Sequence, residues 1–478
     1  SNIGFSNVGV YVDTLGNTKP IDMSGYSNAS SFAGSFDLIL GAEIAQTTND
    51  KNILIQGDVI NRFNTWLGSL ASGTAQADIY SGSLTWTATV ASTGTNINQL
   101  AMAKIPYTYF VKETDNAWNF ADGLEQRYGV EGIDSREKQV FNKLNSIGNN
   151  EAELLAQSYD EMMGHQYANV QQRIQQTSDI LSYEFNHIKD DWGTVTKNSN
   201  KIKTFGTSGE YKSDTAGIIN TKNKAFGVAY LHENEGVRLG DSTGWYAGVV
   251  HNKFDFDDLG GSKEETTLAK VGVYKSVPFD YNNSLNWTIS GDVFVARSEM
   301  DRKFLVVDEI FGAKSDYNTY GLAIKNEIGK DFRIGEHTFI RPYGALKLEY
   351  GRTEDIKEDN GEIRLEVDGN DYYSIKPEVG VQFNYKHSLG EKAKLNFGLE
   401  IAYENELGKV GDTNNKARVR YTTADYFDIR GEKENRRGNG KLDLNIGVNT
   451  TKLGVTVNAG YDTNGKNFRS GIGFRAIY

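Results

Sequence analysis

Residues 373–386 read YSIKPEVGVQFNYK. Tyr373, Ile375, Pro377, Val379, Val381, Phe383 and Tyr385 share one face, against Ser374, Lys376, Glu378, Gly380, Gln382, Asn384 and Lys386 on the other. Period two is the period of a strand whose two faces meet different surroundings. A half-buried antiparallel sheet alternates in the same way. Full charges in mid-strand separate the two cases. A packed core does not hold Lys376 and Glu378, or the similarly placed Asp292, Arg341, Lys347 and Glu400, whereas a water-filled lumen does. Tyr373 and Tyr385 bracket the apolar face, as aromatic rings do at the two headgroup levels of a bilayer. The stretch predicts a transmembrane barrel strand, with lipid on the Ile375 side and water on the Lys376 side.

The same alternation extends in both directions. It recurs in SLNWTISGDVFVAR (284–297), KLNFGLEIAYE (394–404) and KLDLNIGVN (441–449). It assigns Ile375, Val379, Phe397, Leu399, Leu444 and Ile446 to lipid, and Arg341, Lys376, Glu378, Glu400 and Glu404 to the lumen. The segments match or exceed the roughly 9–11 residues that a tilted strand needs to cross a bilayer. Twelve strands are expected, near 191–206, 222–232, 244–256, 264–276, 284–298, 316–330, 337–351, 372–386, 393–405, 440–450, 453–462 and 467–478. The connections at 207–221, 257–263, 299–315, 352–371 and 406–439 are mostly long, and most of the others are short, such as 387–392 and 450–452. One long-loop end, one short-turn end and an even strand number fit a closed outer-membrane barrel.

Composition agrees. The 478 residues include 51 Gly, 26 Tyr and 23 Phe, but no Cys and only 5 Pro. A mean hydropathy of −0.53, with no run of eighteen apolar residues, excludes a helical membrane protein. The lack of cysteine excludes disulfide scaffolds, thiolate metal sites and Cys nucleophiles. A net charge of −12 argues against nucleic acid as a partner. The first residues, SNIGFSNVGVYVD, contain neither a starting Met nor an export signal. The chain is expected to be a piece of something longer.

Residues 1–125 are rich in Gly, Ser, Thr and Asn, with β-branched bursts such as NVGVYVD, SFDLILG, KNILIQGDVI and SGSLTWTATVAS. Rung-like spacing suggests the coils of a parallel β-helix, with an ordinary β-sandwich as the other possibility. From about 134 to 190 glycine nearly vanishes. Leu155, Tyr159, Met162, Gln166, Val170, Ile174, Thr177, Leu181, Phe185 and Ile188 recur at helical spacing, with a break expected at Gly164. The stretch QQRIQQTSD is too polar for an apolar core. It suits either a solvated linker helix or a helix within a polar channel, with Gln171, Gln172, Arg173, Gln175 and Gln176 facing water or a charged wall.

The last strand, NFRSGIGFRAIY (467–478), puts Phe468, Ile472, Phe474, Ala476 and Tyr478 on one face and Gly471, Gly473 and Arg475 on the other. Gly473, Phe474, Ala476 and the terminal Tyr478 resemble the C-terminal signal read by the outer-membrane barrel-assembly machinery. GYDTN (460–464), RPYGALKLEY (341–350) and LEIAYENELG (399–408) look like recurring stretches of one family, and a polar helix followed by Trp192 completes the order. From about residue 130 onward, the chain resembles a monomeric (type Va) autotransporter. The resemblance implies an all-β fold with a linker helix: a 12-stranded antiparallel barrel at 191–478, a linker with a pore helix at 126–190, and the end of a β-helical passenger at 1–125. INQLAMAKIPYTYFV would form the end cap of that passenger.

The implied role is anchoring in the outer membrane and export of the chain's own passenger, an adhesin, to the cell surface. Implied partners are outer-membrane lipid and lipopolysaccharide, the barrel-assembly machinery, and a host or bacterial surface ligand of the passenger. A monomer is expected, with no cofactor, metal or catalytic residue. The alternatives are an outer-membrane enzyme (a barrel hydrolase or a catalytic upstream passenger) and a porin with an N-terminal plug.

Four features invite other interpretations. Gly240–Gly244 within LGDSTGW looks like a serine-protease motif, but no histidine is placed to serve it, and a turn is expected. The six histidines have no metal spacing. Residues 352–371 carry eight carboxylates and three basic residues and are expected to form a solvated acidic loop. Asn149–Asn150 could be a self-cleavage bond, or Asn150 could cap a helix with Glu153 at its third position.

Overall fold

The computed structural model describes residues 7–16, 35–55, 57–70, 77–93, 96–191, 198–236, 240–280 and 284–478. Trp192 lies outside them. Twelve long strands form the barrel: β1 (Asn198–Tyr211), β2 (Thr221–Glu235), β3 (Ser242–Phe256), β4 (Lys263–Pro278), β5 (Leu285–Val306), β6 (Glu309–Lys330), β7 (Thr338–Thr353), β8 (Asn370–Ser388), β9 (Lys394–Asn405), β10 (Gly438–Asn449), β11 (Leu453–Asp462) and β12 (Asn467–Ile477). Each pairs antiparallel with its sequence neighbours. β12 then returns to β1, from Ile477↔Lys201 to Ser470↔Ser208, and closes the barrel. Closure leaves no unpaired edge for lipid to face.

The outer surface is a band of Val228, Val249, Val295, Ile324, Val379, Ile401, Ile446 and Val457, all exposed on the bare chain. The inner surface carries Lys203, Lys270, Glu349, Asp443 and Arg475, all buried. Alternation along each strand produces both surfaces at once.

The helices are α1 (Gly57–Leu70), α2 (Ala117–Arg127), α3 (Arg136–Asn145), α4 (Ala152–Met162) and α5 (Val170–Asp191). Gly164, at φ 79°, separates α4 from α5. That left-handed conformation suits glycine. α1 takes up the DVI of KNILIQGDVI, so only Asn52–Leu54 of that burst is a strand. Asn7–Val12, Ser35–Leu40 and Ala77–Ser81 form a parallel ladder. Trp86–Thr93 and Asn96–Lys104 pair antiparallel, and Asn52–Leu54 also pairs antiparallel with the latter.

The long-loop end departs from expectation. Residues 299–315 are not a loop, because β5 and β6 continue as a hairpin that turns at Val307–Asp308. Their inner face, with Met300, Phe304, Val306 and Phe311, shares one apolar core with α3 and α4, and this burial carries strand pairing beyond the barrel rim. Nor is 352–371 a solvated acidic loop. Ile356–Lys357 and Leu365–Val367 join Asn414–Val419 and Phe427–Arg430 in a four-stranded antiparallel sheet. Ile363, Leu365 and Glu358 are fully buried. The sheet docks on α2 through Phe120 against Phe427. Asn119 and Asn116 donate to the carbonyls of Tyr426 and Asp428. The apolar positions in these acidic loops needed a partner, and α2 supplies it.

Candidate functional site: the helix-filled lumen

α5 runs inside the barrel from the long-loop end to the short-turn end. Its 22 residues span roughly 33 Å at ~1.5 Å per residue, more than a ~25 Å apolar band. Ile174, Leu181, Phe185 and Ile188 form a narrow apolar stripe. It packs on Phe205, Ala229, Tyr246, Val250, Leu268 and Phe294 of β1 to β5. The Phe185 and Tyr246 rings lie 4.5 Å apart. One sector of the wall is thus apolar inward as well, which an all-hydrated lumen would not require.

Beside the stripe, polar helix residues bond to the wall. Arg173 Nε lies 2.8 Å from Glu264 Oε1 on β4, with both side chains buried, and its guanidinium stands over the Phe256 ring. Gln175 donates to Glu349 at 2.9 Å and Gln176 to Asn223 at 3.1 Å. Gln172 donates to Gln176. Gln171 is placed differently: it bonds with Asn415 and Thr413, in the 406–439 segment above the mouth. A buried amide or charge is tolerated only when so paired.

Three groups absent from the expected helix set make further links. Asp179 sits 2.9 Å from Lys347 and 3.7 Å from Lys376. Glu184 pairs with Lys203 of β1 at 2.5 Å. Lys270 of β4 donates to Ser178 O and Ser182 Oγ. Of the three, Asp179 had a signal in the sequence, its spacing: Gln172, Gln175, Gln176 and Asp179 share one helical face.

On that face a cavity of about 450 Å³ remains, lined by Asp179 on the helix and by Lys376, Glu378, Glu400 and Glu404 on the wall. Lys441 bridges Glu378 at 2.6 Å and Glu404 at 3.3 Å. Tyr343 donates to Glu400 and, at 3.2 Å, to Glu378. Arg341 belongs to the wall rather than to this lining, paired with Glu327 at 3.0 Å.

The outer mouth closes on one buried hub. Arg302 of β5 binds Glu358 through two 2.8 Å contacts and donates to Met162 O and Ile363 O. Tyr167, between α4 and α5, donates to Glu358 at 2.8 Å. Burial and then Glu358 hold its phenol well above the usual range, so it stays a donor.

At the C-terminus Phe474 and Tyr478 point outward and are exposed. The Tyr478 backbone pairs with Asn200 in both directions. Ala476 lies opposite Ile202 of β1. A Cβ on Gly473 would collide with Lys203 Cε, so glycine makes room for the lysine that holds Glu184.

The other candidates take ordinary places. Ser242 begins β3, paired with Ser276 and Glu235. No group of three His, Cys, Asp or Glu that could hold a metal occurs among the described residues. Asn149 donates to Ser81 O, well before α5. The residue capping α4 is Glu151, not Asn150, and its side chain makes no capping bond.

An apolar outside, a charged inside, closure of β12 on β1 and a helix of the same chain in the lumen define an outer-membrane translocator barrel. Residues 192–461 match the autotransporter beta-domain model, more than half of the chain, and the chain belongs to that family. The barrel therefore lies in the outer membrane and serves to anchor and translocate a passenger to the cell surface. Among solved structures, the chain is similar to the translocator domain of autotransporter NalP from Neisseria meningitidis. Identity is 10%, coverage 63% of this chain and 95% of that one, and the TM-score 0.47. The transport unit of AIDA-I from Escherichia coli gives 13%, 63% and 98%, with a TM-score of 0.41. Two proteins named YaiT are also similar. The one from Escherichia coli (strain K12) is 23% identical over 179 residues, 34% of this chain and 16% of that protein. The one from Salmonella typhimurium (strain LT2) is 25% identical over 186 residues, 38% and 17%. The chain thus spans about one sixth of the length of these relatives.

Proposed function

We propose that residues 1–125 are the final coils of a β-helical passenger, that 126–190 link it to the barrel through the pore helix, and that 191–478 export and then anchor it. The observation that carries this division is the set of buried contacts between α5 and the wall, led by Arg173–Glu264. A helix threaded through the lumen directly before β1 joins what is outside the cell to what is in the membrane. The pairings suit its resting state after export, when α5 occupies the lumen. The parallel ladder of Asn7–Val12, Ser35–Leu40 and Ala77–Ser81 supports a β-helical passenger. Folding of such coils outside the cell opposes their return, because buried strand surface must be exposed again to re-enter the pore.

In this proposal the passenger is an adhesin that meets a host or bacterial surface ligand. The chain acts as a monomer without chemistry of its own. The C-terminal residues Gly473, Phe474, Ala476 and Tyr478 are read by the barrel-assembly machinery, and lipid and lipopolysaccharide surround the barrel.

Surface display tests the export role. An epitope at the N-terminus of the chain should be reached by antibody on intact cells. Removing residues 170–189 should abolish this while the barrel still assembles, judged by heat-modifiable gel mobility. Undiminished display would overturn the role of the helix. Attachment of displaying cells to host or bacterial surfaces tests the adhesin assignment, and attachment no greater than that of cells bearing the barrel alone would overturn it.

A further inference from the structure

Outside the lumen, three guanidinium groups converge on Tyr421, in the turn between Asn414–Val419 and Phe427–Arg430 of the loop sheet. Arg364 and Arg420 stand over the Tyr421 ring, each 4.6 Å from its centre, and Arg127 of α2 lies at 5.8 Å. Arg364 and Arg420 are cross-strand neighbours, joined by the 2.7 Å bond from Arg420 N to Arg364 O. Like charges in that relation repel.

The available carboxylates do not balance them. Glu131 serves Arg127 at 2.7 Å and Arg364 at 3.5 Å. Glu137 serves Arg127 at 2.6 Å. The Glu358 carboxylate is taken by Arg302. Arg420 has no carboxylate within ion-pair distance among the described residues, and its recorded bond goes to the Glu358 carbonyl. The Nε of Arg364 is buried with no hydrogen-bond partner. Tyr421 itself holds φ 65°, in the left-handed region. A bulky residue kept there is strained, and such strain gathers at functional sites. Tyr421 is 56% exposed.

We propose that Arg364, Arg420 and Arg127 around Tyr421 form an oxyanion site at the end of the loop sheet, which takes a sulfate or phosphate monoester. Three guanidiniums against two carboxylates leave one positive charge in surplus. Arginine forks match the paired oxygens of such a group. The exposed ring beside them offers a flat apolar surface of the kind on which a sugar stacks, so a carbohydrate-borne monoester suits the site better than a bare ion.

The test uses the full chain, folded in detergent micelles at low ionic strength, and titration calorimetry with two probes: a heparin-derived tetrasaccharide and inorganic sulfate. The tetrasaccharide should bind saturably and weaken as salt rises. Replacing both arginines, in R364Q/R420Q, should weaken binding by about tenfold or more, as expected when charge-assisted hydrogen bonds are lost. E131Q, which frees Arg364 and leaves Arg127 with Glu137 alone, should tighten it. Sulfate binding as strongly as the tetrasaccharide would identify a free-ion site, whereas tighter tetrasaccharide binding would identify the carbohydrate source. No saturable binding of either probe, or equal affinity in R364Q/R420Q, would overturn the proposal. If that variant does not keep its heat-modifiable mobility, E131Q carries the test, and unchanged or weaker binding there would overturn it.

Discussion

Arg173 of the pore helix and Glu264 of β4 face each other across the lumen wall at 2.8 Å, both out of contact with solvent. Tyr317 of β6 donates to the same carboxylate. Together they fix the rotation of α5 as well as its depth. Glu264→Ala should leave the arginine charge buried without compensation, at a cost of about 3–5 kcal/mol. The helix should then leave its seat, seen as a rise in single-channel conductance in planar bilayers. Arg173→Met with Glu264→Leu should restore most of the block. Conductance unchanged in the single variant would show that the apolar stripe alone holds the helix.

Removing residues 1–189 altogether should open a larger and steadier channel than the full chain shows. The existing cavity of about 450 Å³ would merge with the volume of α5. Indistinguishable conductance would mean that α5 does not obstruct the pore.

The two faces of the wall should respond oppositely to one substitution. Arginine at Val379 or Ile446, both exposed to lipid, should cost about 2–4 kcal/mol at the bilayer midplane. At Gln382 or Asn445, which line the cavity, arginine should be tolerated. Denaturant titration in lipid vesicles, followed by tryptophan fluorescence, measures both. Equal losses on the two faces would contradict the assignment.

Arg302 should matter to the mouth rather than to the barrel. Arg302→Ala leaves Glu358 buried without its partner, at a cost of about 3–5 kcal/mol. Limited proteolysis should then cut within 352–371, while heat-modifiable mobility stays intact. Persistent resistance would show that the loop sheet is held by α2 alone.

Deleting Tyr478, or changing Phe474 and Tyr478 to Ser, removes aromatic anchors from the end of the strand that closes the barrel. Outer-membrane assembly in cells should fall, measured by the folded fraction in membrane extracts. Wild-type assembly would argue against a recognition role for this ending.

The amino-acid sequence by itself determined the barrel. YSIKPEVGVQFNYK and its counterparts state, two residues at a time, which side of the wall each residue meets, and that information is local to the strand. The helical spacing from Val170 to Ile188 and the break at Gly164 are local in the same sense. Only the tertiary structure decided which charges meet. Arg302 finds Glu358, and Arg173 finds Glu264, across long stretches of chain. Such pairings depend on strand register, barrel stagger and the depth of the helix, none of which leaves a periodic trace. The same holds for the β5–β6 hairpin and the loop sheet. Residues 352–371 and 406–439 look like connections because their apolar positions are sparse, and 299–315, though richer in them, stands between two strands already long enough to span the bilayer. They become ordered only when the core of α2, α3 and α4 gives those positions something to bury against.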